Sequence, residues 1–235
     1  MYCKDIMIDR HSTVTVPPGY LLSKALARME LYGHRALPVV EFAKLYGVVD
    51  KYSILERIYI KEDIARETAT VADVMRTDIQ TLTTEDYIEK AASLFTSQRY
   101  QFIPVIMPGT PDQYMGIIPV SAVMYLFKAA MGMGKCAHRI TIDIAGDSDA
   151  LLRLTRAIAK ADAHIISLVT LDNKEIIHED EKENRATIVI KFTGEMERVR
   201  HQIISQGAVI THHDRVDGAE LSSPGFLTWV FGERA

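Results

Sequence analysis

Cysteine and long apolar runs are both scarce in this chain, and each scarcity removes a class of protein. Two cysteines occur among 235 residues, Cys3 and Cys136, far apart and without metal-ligand spacing. A disulfide scaffold is therefore set aside, and reduced thiols in a cytoplasmic protein are the expectation. The only long apolar window, residues 116–134, contains Pro119 and Lys128 and reads as strand plus helix, so no membrane span is expected. The first ten residues carry Lys4, Asp5, Asp9 and Arg10 around no apolar core, which argues against a signal peptide. Positive charge is not in excess: 27 Lys and Arg against 31 Asp and Glu leave a net charge of −4. Nothing electrostatic points to nucleic acid. Catalytic signatures are missing too. No Gly-x-Ser-x-Gly and no His-Glu-x-x-His occurs, and His178-Glu179-Asp180-Glu181 and His212-His213-Asp214 read as solvated polar stretches. Neither an enzyme nor a metal centre is expected.

What is present is the material of an ordinary globular protein, with 48% hydrophobic and 25% charged residues, enough for one to three modest domains. The informative stretch is residues 71–123. Short apolar runs at residues 79–82, 102–106 and 114–118 read as strands. Between the first two, residues 85–99 place Ile88, Ala91, Ala92 and Phe95 at helical spacing. The same pattern occurs about 68 residues upstream, a self-repeat matching at three ordered places. Asp5-Ile6-Met7 answers Asp73-Val74-Met75, Leu37-Pro38-Val39-Val40 answers Ile103-Pro104-Val105-Ile106, and Gly47-Val48-Val49 answers Gly116-Ile117-Ile118. In the first copy, residues 13–16 read as a strand, Leu22 to Met29 as a helix ending at Gly33, residues 36–40 and 45–49 as strands, and residues 51–60 as a second helix. Residues 61–70 read as a linker.

The Asp-x-Met opening, the apolar-Pro-Val strand and the Gly-apolar-apolar strand, each found twice, resemble the cystathionine-β-synthase (CBS) motif. The resemblance implies a tandem CBS pair, with repeat 1 over residues 1–66 and repeat 2 over residues 67–134, and two clefts for adenosine-containing ligands. The family pattern continues from the Gly strand with Ser or Thr, two variable residues and Asp. Physically, a hydroxyl and N–H groups at a helix N-terminus hold a phosphate, and the carboxylate one turn on holds ribose. Both copies depart from it. The first reads Gly47-Val48-Val49-Asp50-Lys51-Tyr52-Ser53, where Asp50 is expected to cap the helix and set a negative charge at the phosphate position. The second reads Gly116-Ile117-Ile118-Pro119-Val120-Ser121-Ala122, without a hydroxyl at Pro119 or a carboxylate at Ala122. Candidate ligand-binding residues are Asp50, Lys51 and Ser53 at the first helix and Pro119, Ser121 and Ala122 at the second. The strands add Arg35, Ala36 and Pro38, then Gln101, Phe102 and Pro104, and the preceding segments add Thr13 and Ile79. Arg35 and Lys51 are the candidate cationic anchors. The ligand the resemblance implies is AMP, ATP or S-adenosylmethionine, and the last conflicts least with Asp50.

Residues 137–214 follow a different order. Ile140, Ile142 and Ile144 alternate with polar residues, Leu151 to Ala159 form a helical stripe, and two strands, a helix and a fourth strand follow. That is the ferredoxin-like βαββαβ arrangement. With Gly146 at its first turn, it resembles an ACT domain, an amino-acid-sensing module, with Gly146, Asp147 and Ser148 as the candidate carboxylate cradle. A CBS pair followed by an ACT-like domain resembles the acetoin-utilisation protein B family. The fold class expected is thus α/β (α+β), a tandem CBS pair plus a C-terminal ferredoxin-like domain.

Residues 215–235 form a C-terminal arm. Phe226, Leu227, Trp229, Val230 and Phe231 place five large apolar residues in six positions, too many for a free polar tail, and a docked strand is expected. The functional expectation is a non-catalytic, cytoplasmic regulatory homodimer, sensing small metabolites and acting on a regulated enzyme that the sequence does not identify. The rival is a structural dimerisation subunit whose clefts bind nothing.

Overall fold

The computed structural model describes residues 1–61, 64, 65, 67–97, 101–110, 112–145, 149–171 and 185–216. The turn at Gly146, Asp147 and Ser148 and the arm at residues 217–235 lie outside the described residues. The chain divides into two compact units, residues 1–125 and Leu126–Ser223.

In the first unit, β1 (Ile8–Asp9) precedes α1 (Leu22–Leu31), β2 (Ala36–Glu41), β3 (Lys44–Asp50) and α2 (Lys51–Leu55), which continues as a π-helical turn over Glu56–Ile60. The second copy supplies β4 (Leu82–Thr83), α3 (Ile88–Ser97), β5 (Phe102–Ile106), β6 (Tyr114–Pro119) and α4 (Val120–Ala130). Two expected elements come out shorter. Residues 13–16 make only a one-residue bridge, Val16 with Val39, because Pro17 and Pro18 follow and cannot donate to a ladder. The strand expected over residues 79–82 begins at Leu82. Helix α1 buries Leu22, Ala25 and Met29, one stripe at i, i+3 and i+7, against Leu37, Val39, Val49 and Ile54.

The two sequence repeats are closed by each other's opening segments. Segment β1 adds to β6 in the sheet β1-β6-β5-β4, while Arg76 of the second copy bridges Val48 of the hairpin β2-β3. Cys3 N–H donates to the Asp86 carbonyl at 2.8 Å, and Val71 N–H donates to the Tyr20 carbonyl at 2.8 Å, the same exchange in reverse. The Tyr2 and Tyr87 rings stack at 4.9 Å across one crossing. The glycines of the repeated motif sit where the visiting backbone crosses. A Cβ on Gly47 would stand 2.3 Å from the Arg76 carbonyl oxygen, and one on Gly116 would stand 2.1 Å from that of Ile8. The aspartates of the Asp-x-Met motif close the turn before each crossing: Asp5 Oδ2 accepts from Tyr2 N–H at 2.8 Å, and Asp73 Oδ2 from Thr70 N–H at 2.7 Å.

The second unit holds β7 (Ala137–Ala145), α5 (Ala150–Lys160), β8 (His164–Leu171), β9 (Arg185–Thr193), α6 (Met196–Ile204) and β10 (Val209–Val216). Its sheet runs β10-β7-β9-β8, every pair antiparallel, which is the ferredoxin-like order. Ile140, Ile142, Ile188, Ile190 and Phe192 share a core with Leu154 and Ile158 of α5 and Val199 and Ile203 of α6.

Candidate functional site

Two clefts open in the first unit, and each draws residues from both copies. The first, of about 850 Å³, lies between the α2 N-terminus, β2 and the segments around Arg76 to Gln80 and Gln101 to Pro104. Asp50 is the N-cap of α2. Its Oδ1 accepts from Ser53 N–H at 2.8 Å, and its Oδ2 accepts from the Ser53 hydroxyl at 2.8 Å. Arg76 Nε stands 3.7 Å from the same Oδ2. The place where a ligand phosphate would meet the helix is therefore filled by this chain's own carboxylate. Ser53, at the ribose position of the family pattern, points its hydroxyl at Asp50.

Two sequence expectations are corrected here. Lys51 is not a free anchor, because its Nζ donates to Glu30 Oε1 at 3.1 Å. Nor is the first N–H of either helix open. Lys51 N–H donates to the Arg35 carbonyl at 2.8 Å, and Val120 N–H donates to the Gln101 carbonyl at 3.1 Å. The residue just before each strand closes the helix that follows the next one.

The second cleft, of about 570 Å³, lies between the α4 N-terminus, β2 and the segment Ser12 to Val14. Pro119, Val120 and Ser121 form one wall, and among the described residues no aspartate or glutamate lines it. Thr13 Oγ1 donates to the Asp9 carbonyl at 2.9 Å, so that hydroxyl is already engaged. Six residues line both clefts: Gly33, His34, Arg35, Ala36, Gln101 and Phe102. His34 is half-buried, and that burial holds its imidazole below its ordinary value of 6.5, so it is neutral at pH 7.

Arg35, Ala36, Asp50, Lys51, Ser53, Ile79, Gln101, Phe102 and Pro104 come together in the first cleft, and Thr13, Pro38, Pro119 and Ser121 join Arg35 in the second. Ala122 lines neither cleft. The sequence reading missed Glu30, His34 and Arg76. Arg76 had a signal, since it follows Met75 of the repeated motif and so occupies the crossing position that Ile8 holds in the first copy. Glu30 had none, because only the fold brings α1 beside α2.

The buried Cys3 thiol is pushed up to about 11, chiefly by burial and then by Asp86, and stays protonated. Among the described residues no cluster of three or more His, Cys, Asp or Glu could hold a metal ion, and no helix is long and apolar enough to cross a membrane.

The CBS domain model matches twice, over residues 3–60 and 71–128, and these two stretches form a tandem CBS-domain pair. CBS domains are generally regulatory modules. Solved structures similar to this chain include a CBS domain-containing protein of unknown function from Bacillus anthracis str. Ames Ancestor, 28% identical, covering 55% of this chain and 93% of its own, with a TM-score of 0.47. The CBS-pair protein CBSX2 from Arabidopsis thaliana is 22% identical, covering 54% and 93%, with a TM-score of 0.48. A putative acetoin utilization protein from Vibrio cholerae is 21% identical, covering 54% and 90%, with a TM-score of 0.47.

Proposed function

We propose that the protein is a non-catalytic, cytoplasmic regulator that senses an adenosine-containing metabolite through its tandem CBS pair. The observation that carries this reading is the pair of open clefts, each lined by both copies, so that occupancy bears on the contact between copies. The adenine face would rest against Ala36 to Pro38 or Phe102 to Pro104, where apolar strands meet the cleft floor. In this reading the chain works as a homodimer, and its second unit is an ACT-like module whose amino-acid cradle is the turn at Gly146, Asp147 and Ser148.

A structural subunit with empty clefts is the competing reading, favoured by the Asp50–Ser53 cap that fills the first helix N-terminus. A thermal-shift panel of AMP, ATP, S-adenosylmethionine and free amino acids separates the two. A ligand at one hundred times its Kd adds about 2.7 kcal/mol to the stability of the folded chain. Sensing predicts a rise in Tm with at least one adenosine compound. No shift with any of them would leave the scaffold reading standing. Light scattering at micromolar concentration tests the homodimer, which a monomeric mass would contradict.

A further inference from the structure

We propose that the second cleft holds an oxyanion of its ligand on Arg35 and that the first cleft rejects one, so that the chain takes a single anionic ligand rather than two. The inference deepens the adenosine-sensing reading, and its test keeps the two apart. The first cleft contains two acid–base pairs, Lys51 with Glu30 at 3.1 Å and Arg76 with Asp50 at 3.7 Å. An incoming phosphate or carboxylate there would meet the Asp50 carboxylate at the helix N-terminus and the Glu30 carboxylate beside it. Arg35 is different. It is exposed, it lines both clefts, and among the described residues its guanidinium makes no hydrogen bond or ion pair, only its carbonyl accepting from Lys51 N–H.

On the side of the second cleft nothing opposes an anion. Among the described residues that line it none is acidic, and its polar lining includes Ser12, Ser121 and the neutral imidazole of His34. A guanidinium presents forked donors that match the edge of a carboxylate or phosphate, and such bonds strengthen where water is partly excluded. The asymmetry between copies limits the number. Arg35 and Gln101 are counterparts, each accepting the first N–H of a helix through its carbonyl. One of the two positions is charged and the other is not. Two anions drawn to one guanidinium would repel each other, so occupancy by one excludes the other.

Isothermal titration of the full chain tests this with adenosine against AMP, adenosine against adenosine-5′-carboxylate, and inorganic pyrophosphate alone. The expected result is one anionic ligand per chain, with Arg35→Ala weakening it at least tenfold and changing the uncharged partner compound less than twofold. Arg35→Lys should recover part of the loss, since it restores charge without the fork. The pair that splits identifies the anion as phosphate or carboxylate. Ser121→Phe, which fills the second cleft from a half-buried position on its wall, should abolish binding of the anionic compound. Two anionic ligands per chain, unchanged binding in Arg35→Ala, or unchanged binding in Ser121→Phe would each overturn the proposal. If pyrophosphate binds through Arg35 while every adenosine compound fails, the adenosine reading falls and the anion site stands. If nothing binds, both fall.

Discussion

The two CBS copies share a backbone plan and differ at the ends of their last helices. In both, a glycine lets the other copy's opening segment cross, and an aspartate closes the turn that delivers that segment. At the helix N-terminus the plan diverges. The first copy places a carboxylate there and satisfies it internally with the Ser53 N–H and hydroxyl. The second places a proline ring, which neither accepts nor donates through its side chain. Positions that serve the crossing are kept because the backbone geometry demands them. Positions facing the cleft are free to diverge, and here they set a carboxylate at the helix N-terminus of the first cleft and none at that of the second.

Three sets of substitutions would break or sharpen that contrast, beginning with the crossing itself. Gly116→Ala should cost about 3 kcal/mol or more, because its Cβ meets the Ile8 carbonyl at 2.1 Å and its φ of +153° strains an L-residue. Gly47→Ala, with the same clash at 2.3 Å but no such φ, should cost about 1 kcal/mol less than its counterpart. Urea unfolding checks the order, and a neutral Gly116→Ala would show that the crossing can shift to make room.

The helix ends should respond less. Asp50→Ala removes the cap and should lose about 1 kcal/mol, whereas Pro119→Ala should fall within about 0.5 kcal/mol of wild type. Equal losses in the two variants, read from the same urea midpoints, would mean that the cap contributes nothing beyond what the proline position does.

The smallest effect concerns acid. The Thr70 N–H, and after it the Thr70 hydroxyl, hold Asp73 below the usual carboxylate value of 3.8. A depressed folded-state value means that the unfolded chain binds the proton first. The contribution is thus present above about pH 4 and is lost as pH falls through the folded value. Asp73 is almost fully solvated, which screens the effect to a few tenths of a kcal/mol. Asp73→Asn should flatten the slope of stability against pH below pH 4, measured by urea midpoints, and an unchanged slope would remove this carboxylate from the acid response.

Much of this was legible from residue order. Short apolar runs around Ile103 and Ile117, the helical stripe at Ile88 and Ala91, and the alternating Ile140, Ile142 and Ile144 are local patterns, and local geometry reads them directly. The Asp50 cap was legible for the same reason, since its partners lie three residues away. The short strand at Leu82 and the lone bridge at Val16 were overestimated, because propensity cannot say how much partner a strand will find.

The amino-acid sequence by itself determined the repeat, the element types and the departures at Asp50 and Pro119, all of which depend on neighbours within a few residues. Only the tertiary structure decided that each copy is closed by the other's first segment, that Glu30 takes up Lys51, that Arg76 comes to Asp50 and that Arg35 borders both clefts. Those pairings run from 21 positions apart, Glu30 with Lys51, to 109 apart, Ile8 with Ile117. Their partners are chosen by how two packed layers meet, and no local pattern carries that information.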